Sequence, residues 1–262
     1  MTDLNTNSEH EPFGVGKILS ESFSLLFGNI VAVALAAFIP LLIMITLSGM
    51  MLGFDITFGA ATPDALDPSF VPMMILNTLV SVVIYGIVTA IIVQLAYDAK
   101  LGRSTNFGKY ASAAIATLLP NVVLTLVITI LASFAMLALI LPGIWVYGVF
   151  AVTVPALVIE RVGFGAMRRS AELTKEYRWP VIGAMIVIFI AAMVLNLIPT
   201  TIVGFLLTGS LGTATIIVLT ILTAFLSTFT YGLIGMAVAL IYARLREIKE
   251  GVGVDNLAAV FE

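Results

Sequence analysis

Two long stretches without a charged residue limit this chain to one class of fold. Tyr110 to Ile159 spans 50 residues and Trp179 to Ala243 spans 65 residues. A membrane-spanning helix needs roughly 20 apolar residues, so each stretch is long enough to cross a bilayer twice. Only 10% of the chain is charged, whereas a soluble domain carries about 25%. The sequence therefore predicts an all-α, polytopic membrane protein.

We expect six transmembrane helices that form three hairpins. Leu141-Pro142-Gly143 is expected to reverse the chain within the first stretch, because proline ends a helix and glycine permits a turn. Pro199 is expected to kink a long span in the second stretch. The predicted spans cover about 30–54, 70–97, 119–141, 144–159, 179–207 and 213–242. Residues 13–243 form the predicted membrane domain, between a disordered cytoplasmic tail (1–12) and a cytoplasmic C-terminal tail (244–262).

Charge is divided unevenly between the two sides of the predicted membrane domain. With six spans, all twelve Lys and Arg residues lie on one side, together with both termini. The opposite side carries Asp55, Asp64 and Asp67 and no basic residue. Because cytoplasmic loops are enriched in Lys and Arg, we expect both termini to be cytoplasmic.

A short amphipathic segment precedes each predicted hairpin. Val15, Ile18 and Leu19 begin the apolar side of the first segment, the second covers 107–119, and the third lies within 160–180. These cytoplasmic helices either lie in the headgroup layer or pack together as a collar for a partner or ligand. The segments that begin at Gly16 and Gly108 align without a gap, which indicates an internal repeat.

The chain lacks the residue types that most catalytic and metal sites require. It has no cysteine and one histidine, His10, in the N-terminal tail. No ionisable residue lies deep within a predicted span, which disfavours proton-coupled transport. We therefore expect no enzyme activity, no metal or other cofactor, and no nucleic-acid partner.

Small and polar residues within the spans have two interpretations each. Gly49 and Gly53 form a small-xxx-small pattern that predicts close helix packing, within the chain or between subunits. Four amides are either interhelical hydrogen-bonding groups or the lining of a pore: Asn77, Gln94, Asn121 and Asn196.

The strongest local concentration of positive charge is the segment from Glu160 to Pro180. It holds five of the twelve basic residues between the two uncharged stretches. One interpretation is a surface anchor that fixes orientation, because anionic headgroups attract each nearby cation by about 1 kcal/mol. The other is a specific contact for an anionic headgroup or a partner. The predicted contact residues are Arg168, Arg169, Lys175 and Arg178.

This segment also resembles a known family. Leu141-Pro142-Gly143-Ile144, Arg168-Arg169-Ser170 and Arg178-Trp179 are similar to the core of the bacterial YciC-like integral membrane proteins. The related membrane domain accompanies some glycerophosphodiester phosphodiesterases, in which a separate soluble domain performs catalysis. The resemblance implies a multi-pass protein of the bacterial inner membrane, and it implies no reaction.

We therefore expect a non-enzymatic inner-membrane protein that acts through anionic lipids or membrane-protein partners, in assembly or envelope maintenance. A homo-oligomer is compatible with this expectation. The alternative is a channel or transporter for a small neutral or anionic solute, and the amides within the spans motivate it.

Overall fold

A computed structural model describes residues 13–64, 67–206 and 212–251, and these residues form helices joined by short connections. The predicted tail at 1–12 lies outside the described residues. The helices are α1 (Val15–Gly28), α2 (Ile30–Leu52), α3 (Phe54–Thr57), α4 (Phe70–Lys100), α5 (Phe107–Ala116), α6 (Leu118–Ala138), α7 (Ile140–Val149), α8 (Thr153–Glu160), α9 (Ala166–Thr174), α10 (Arg178–Leu206) and α11 (Thr213–Glu250). A single turn of 3₁₀ helix, Gly163–Gly165, precedes α9.

Six helices are long and apolar enough to cross a membrane, which confirms the predicted all-α polytopic class. They are α2, α4, α6, the interrupted pair α7–α8, α10 and α11. The two spans of each hairpin pack on one another, and α11 also contacts α1, α2, α4, α8 and α9. Helix α11 is therefore the centre of the bundle.

The two ends of the bundle differ in charge. The basic end is where α4, α8 and α11 terminate, at Lys100, Glu160 and Glu250. The Asp end lies opposite, where Asp55 and the segments 58–64 and 67–69 lie between α2 and α4. We use these two names because the structure contains no membrane that would define the sides.

The buried sides of the three short amphipathic helices face spans of the same chain. Leu26 of α1 packs at Gly232 of α11, and Tyr110 of α5 and Leu173 of α9 are almost completely buried. Helices α1 and α2 meet at Asn29, where the helical hydrogen-bond pattern continues across the junction. Thr117 joins α5 to α6 in the same way.

The two aligned sequence segments occupy different positions in the fold. Asn29 lies at the α1–α2 junction, whereas its aligned counterpart Asn121 lies within α6 and donates to the carbonyl oxygen of Gly86 at 2.9 Å. The arrangement of short helix and hairpin recurs three times along the chain. The residues matched by the alignment do not mark equivalent places within it.

The expected reversal at Leu141-Pro142-Gly143 is wrong. The chain reverses at Leu139, which is extended, and Pro142 lies in the first turn of α7. Proline is tolerated in a first turn because the backbone N–H that it lacks would have no helical partner there. Gly143 instead lets Met136 of α6 pack closely against α7.

The end of the last span also differs from the expectation. Helix α11 continues past residue 242 to Glu250, so residues 244–250 of the predicted C-terminal tail are helical. An i,i+4 ion pair joins Arg246 Nε to Glu250 Oε2 at 2.8 Å within this extension. Residues 252–262 lie outside the described part of the chain.

Candidate functional site at the basic end of the bundle

An ion cluster joins α8, α9 and α11 at the basic end. Arg169 of α9 donates to Glu160 through Nε at 2.7 Å and Nη2 at 2.9 Å, which is a bidentate pair. The hydroxyl of Tyr242 donates to Glu160 at 2.6 Å. Glu250 accepts hydrogen bonds from Arg169 and Arg246. Two arginines and two glutamates therefore balance within one half-buried network.

The hydrogen bonds within this cluster give Arg169 a structural role. Its hydrogen bonds to Glu160, and further hydrogen bonding to Glu250, raise the pKa of the Arg169 guanidinium. Its side chain is only 24% exposed. An anionic headgroup at Arg169 would compete with two carboxylates that already hold its donors.

Helix α9 also supports the interruption between α7 and α8. The backbone there leaves the helical pattern at Phe150 to Val152, so the nearby polar groups need other partners. Ser170 and Thr174 donate to the carbonyl oxygen of Val149 at 2.9 and 3.1 Å. Ser170 also accepts from the N–H of Val152 at 3.3 Å. Ser170 of the sequence motif, together with Thr174, thus stabilises a broken membrane helix.

Arg168 and Lys175 lie on the outer side of α9. Arg168 is 86% exposed and pairs with Glu172 at 2.7 Å, one turn further along the same helix. Exposed pairs of this type contribute little to stability, so solvent or a charged partner can replace Glu172 easily. Lys175 is exposed at the end of α9.

Arg178 occupies a different environment at the start of α10. Its guanidinium carbon lies 4.6 Å from the ring centroid of Trp145 on α7, which is cation–π geometry. Its Nε is buried, and no acceptor among the described residues contacts that atom. The neighbouring Trp179 is 67% exposed. The four predicted contact residues therefore do not converge on one point.

A second polar centre, at the α4–α5 corner, was not predicted. Asp98 is buried and accepts a hydrogen bond from the hydroxyl of Tyr110 at 3.0 Å. Lys109 Nζ and Arg103 Nη1 approach its carboxylate at 3.4 and 3.6 Å. Burial, and secondarily the Asp98 carboxylate, raise the pKa of Tyr110. The sequence contained one signal for this contact. A carboxylate at the end of a span needs a hydrogen-bond donor nearby, and Tyr110 follows Asp98 by 12 residues.

The predicted packing glycines serve the turn at the Asp end. Gly49 is buried under the ring of Phe54, and a methyl group there would overlap the ring. Gly53 ends α2 with a φ of 93°, a conformation that favours glycine. Both positions therefore pack α3 against α2 within the chain.

The four amides within the spans have separate neighbours. Gln94 donates to the carbonyl oxygens of Ala90 and Tyr110 at 3.0 and 3.2 Å, and Asn77 accepts from Ser48 at 2.7 Å. Asn121 donates to Gly86, whereas Asn196 is exposed and accepts from Thr200 at 3.3 Å. Three of the four therefore join parts of the helix bundle. In the described ranges no group of His, Cys, Asp and Glu is arranged to hold a metal ion.

Comparison of the chain with protein-family models, with curated proteins and with solved structures gave no match. The conclusions below therefore rest on this sequence and its geometry.

Proposed function

We propose that this integral membrane protein acts without catalysis, through contact of its basic end with anionic lipid headgroups or with membrane-protein partners. The observation that carries the proposal is Arg178, a half-buried cation stacked on Trp145. No ion pair with a carboxylate is formed by Arg178 within the described part of the chain. A phosphate group in the headgroup layer supplies the counter-charge that this arginine requires.

The placement of charge supports the same proposal. All twelve Lys and Arg residues lie on the side of the basic end. In the predicted topology they share it with twelve of the fifteen acidic residues, because both terminal segments are on that side. The proposal therefore depends on cations at defined positions rather than on a net positive charge. Each cation near an anionic surface adds about 1 kcal/mol of attraction, and Arg178 supplies a defined position for one.

The orientation is part of the proposal. The positive-inside tendency favours the basic end in the cytoplasm and the Asp end on the opposite side. An inner-membrane location and membership of the YciC-like family follow from the sequence resemblance, and assembly or envelope maintenance is the corresponding process. Mass spectrometry of lipids and proteins that copurify from native membranes identifies the partner.

Thermal unfolding in nanodiscs tests the lipid contact. We expect the melting temperature of the protein to rise when anionic lipid replaces zwitterionic lipid, and Arg178→Gln to remove most of that rise. Arg168→Gln is the matched control, because it removes one charge from the same segment at an exposed position that already has a partner. A wild-type melting temperature that does not depend on anionic lipid would overturn the proposal.

A further inference from the structure

Helices α4 and α11 each carry a line of polar residues through the half of the bundle that is nearer the Asp end. On α4 the line is Asn77, Ser81 and Tyr85, and on α11 it is Thr223, Ser227 and Tyr231. Both lines have i,i+4,i+8 spacing, so each lies along one side of its helix. Most residues between the members of each line are apolar, and the hydroxyls of Thr78 and Thr228 donate to carbonyl oxygens of their own helices.

The two lines lie at matching depths in the bundle. Both helices run toward the basic end, and the rings of Tyr85 and Tyr231 lie 4.8 Å apart, with a hydrogen bond between their hydroxyls. Closer to the basic end, the rings of Tyr97 and Tyr242 lie 6.1 Å apart, so the helices keep nearly the same register. Ser81 is therefore level with Ser227, and Asn77 is level with Thr223.

All six residues are half-buried, which sets this region apart from the continuation of the same helices. Beyond the tyrosine pair, α4 is almost completely buried from Ala90 to Ala96, and α11 is buried from Gly235 to Tyr242. Ile92 packs directly at Gly235 between these two segments. Close packing of α4 against α11 therefore begins just beyond the tyrosine pair.

Direct bonding between the two helices does not account for most of these polar groups. Of the six, only the tyrosines bond to each other across the α4–α11 contact, and Asn77 bonds to Ser48 of α2. The hydroxyls of Ser81 and Ser227 form no hydrogen bond among the described residues, and neither hydroxyl is fully buried. The Thr223 hydroxyl differs, because it is buried without a partner. An accessible hydroxyl without a protein partner at membrane depth is costly in lipid, so we expect Ser81 and Ser227 to contact water.

We infer that α4 and α11 border a water-filled cleft that enters from the Asp end and closes at Tyr85 and Tyr231. Tyr85 lies 15 residues from the start of α4, or about 22 Å at 1.5 Å per residue, so the cleft reaches the middle of a bilayer of roughly 30 Å. Its lining consists of hydroxyl, phenol and amide groups. The cleft therefore admits water and small uncharged solutes that form hydrogen bonds.

This inference goes beyond the lipid proposal and does not depend on it. A channel or transporter for a neutral solute would need such a cleft, but it would also need the tyrosine pair to open. In the closed arrangement, the buried contact between Ile92 and Gly235 separates the cleft from the basic end.

Substituted-cysteine accessibility tests the cleft directly, because the chain has no cysteine of its own. Single variants Ser81→Cys and Ser227→Cys are exposed to a membrane-impermeant thiol reagent, added to each side of sealed vesicles in turn. Asp64→Cys, in the exposed segment between α2 and α4, identifies the side that corresponds to the Asp end. Serine and cysteine are close in size, so both variants are expected to fold, and a melting curve checks this.

Matched controls place a cysteine at similar depth on the lipid side. Leu79 and Ile221 are 43% and 48% exposed and lie near the polar lines in sequence. We expect Ser81→Cys and Ser227→Cys to react at least about tenfold faster than Leu79→Cys and Ile221→Cys, because an apolar environment raises the pKa of a thiol and suppresses the reactive thiolate. Reaction should occur only from the side at which Asp64→Cys reacts.

Thr89→Cys tests the closed end, one turn beyond Tyr85 on the same side of α4. We expect it to remain unreactive from both sides. Equal reaction rates at Ser81→Cys and Leu79→Cys would overturn the cleft. Rapid reaction of Thr89→Cys would overturn its closure at the tyrosine pair. Neither outcome bears on the dependence of stability on anionic lipid.

Discussion

The two halves of the bundle are built from the same helices but hold together differently. Toward the basic end, α4 and α11 are buried on nearly all sides, and charged residues form connected networks. Toward the Asp end, residues 71–76 of α4 are exposed, and few polar side chains bond between helices. One half is packed as the interior of a protein, and the other half faces lipid or water.

Residue size accounts for much of this difference. Gly235 allows Ile92 of α4 to approach α11 closely in the basic half, and Gly86 allows Asn121 of α6 to approach α4. Small residues at such contacts are the usual requirement for helix packing in membranes. The other half of α4 carries large exposed side chains near its start, among them Met73, Met74 and Ile75. The contrast indicates that the basic half carries most of the free energy of unfolding.

The largest expected effect tests the ion cluster against a carboxylate at the Asp end. Glu160→Ala removes the partner of a half-buried arginine and of the Tyr242 hydroxyl, so we expect the free energy of unfolding to fall by about 3 kcal/mol. Asp67→Ala loses only exposed hydrogen bonds from Ser69, and we expect a much smaller loss. Reversible unfolding in detergent measures both. Equal losses would contradict the contrast between the halves.

A pair of glycine substitutions compares packing in the two halves. Gly235→Ala brings a methyl group into overlap with Ile92, so we expect destabilisation by about 1–3 kcal/mol. Gly204→Ala, in α10 near the Asp end, meets no atom within 4 Å. There the better helix propensity of alanine should leave stability unchanged or raise it by up to about 1 kcal/mol. Opposite signs in the shift of melting temperature are the expected result.

Two serine substitutions compare polar groups in the two halves. Ser170→Ala leaves the N–H of Val152 without a partner, and we expect a loss of about 1–2 kcal/mol. Ser227→Ala should cost less than about 0.5 kcal/mol. The Ser227 hydroxyl contacts water in the proposed cleft, so its removal leaves no protein group without a hydrogen-bond partner. A large loss at Ser227 would assign the polar line on α11 to packing, which contradicts the water-filled cleft. Melting curves of both variants decide this.

The smallest expected effect depends on pH. Lys249 pairs with Glu176 at 2.5 Å, and this hydrogen bond lowers the pKa of the glutamate. Because the folded-state pKa is depressed, the contribution of the pair is present above the ordinary pKa of glutamate and disappears as pH falls through the lowered value. We expect the difference in melting temperature between wild type and Lys249→Gln to vanish in acid. A difference that persists would show that the Lys249 contact with Tyr177 matters more than the ion pair.

Periodicity and charge predicted the number of spans, the pairing of hairpins and the short helix before each hairpin. They failed where the chain bends without a breaker residue. Leu139 and the segment 150–152 contain neither glycine nor proline, yet both interrupt helices. The second interruption depends on Ser170 and Thr174, which follow about 20 residues later. A tertiary contact of this kind leaves no local signal in the sequence.

The basic segment shows the same limit. The sequence predicted four cations as one kind of contact, and the structure separates them by their neighbours. Arg169 lies within reach of Glu160 and Glu250 because α8, α9 and α11 meet, and no spacing rule predicts that meeting. The aromatic partner of Arg178, Trp145, comes from the preceding hairpin.

The dependence of the α7–α8 interruption on α9 sets an order for biogenesis. Val149 and Thr174 are separated by 25 positions. Because a ribosome adds about 5–20 residues per second, Thr174 is synthesised roughly one to five seconds after Val149. During that interval the carbonyl oxygen of Val149 needs a temporary partner, such as water, lipid or an insertion factor. The second hairpin therefore reaches its final form only after the start of the third has been synthesised.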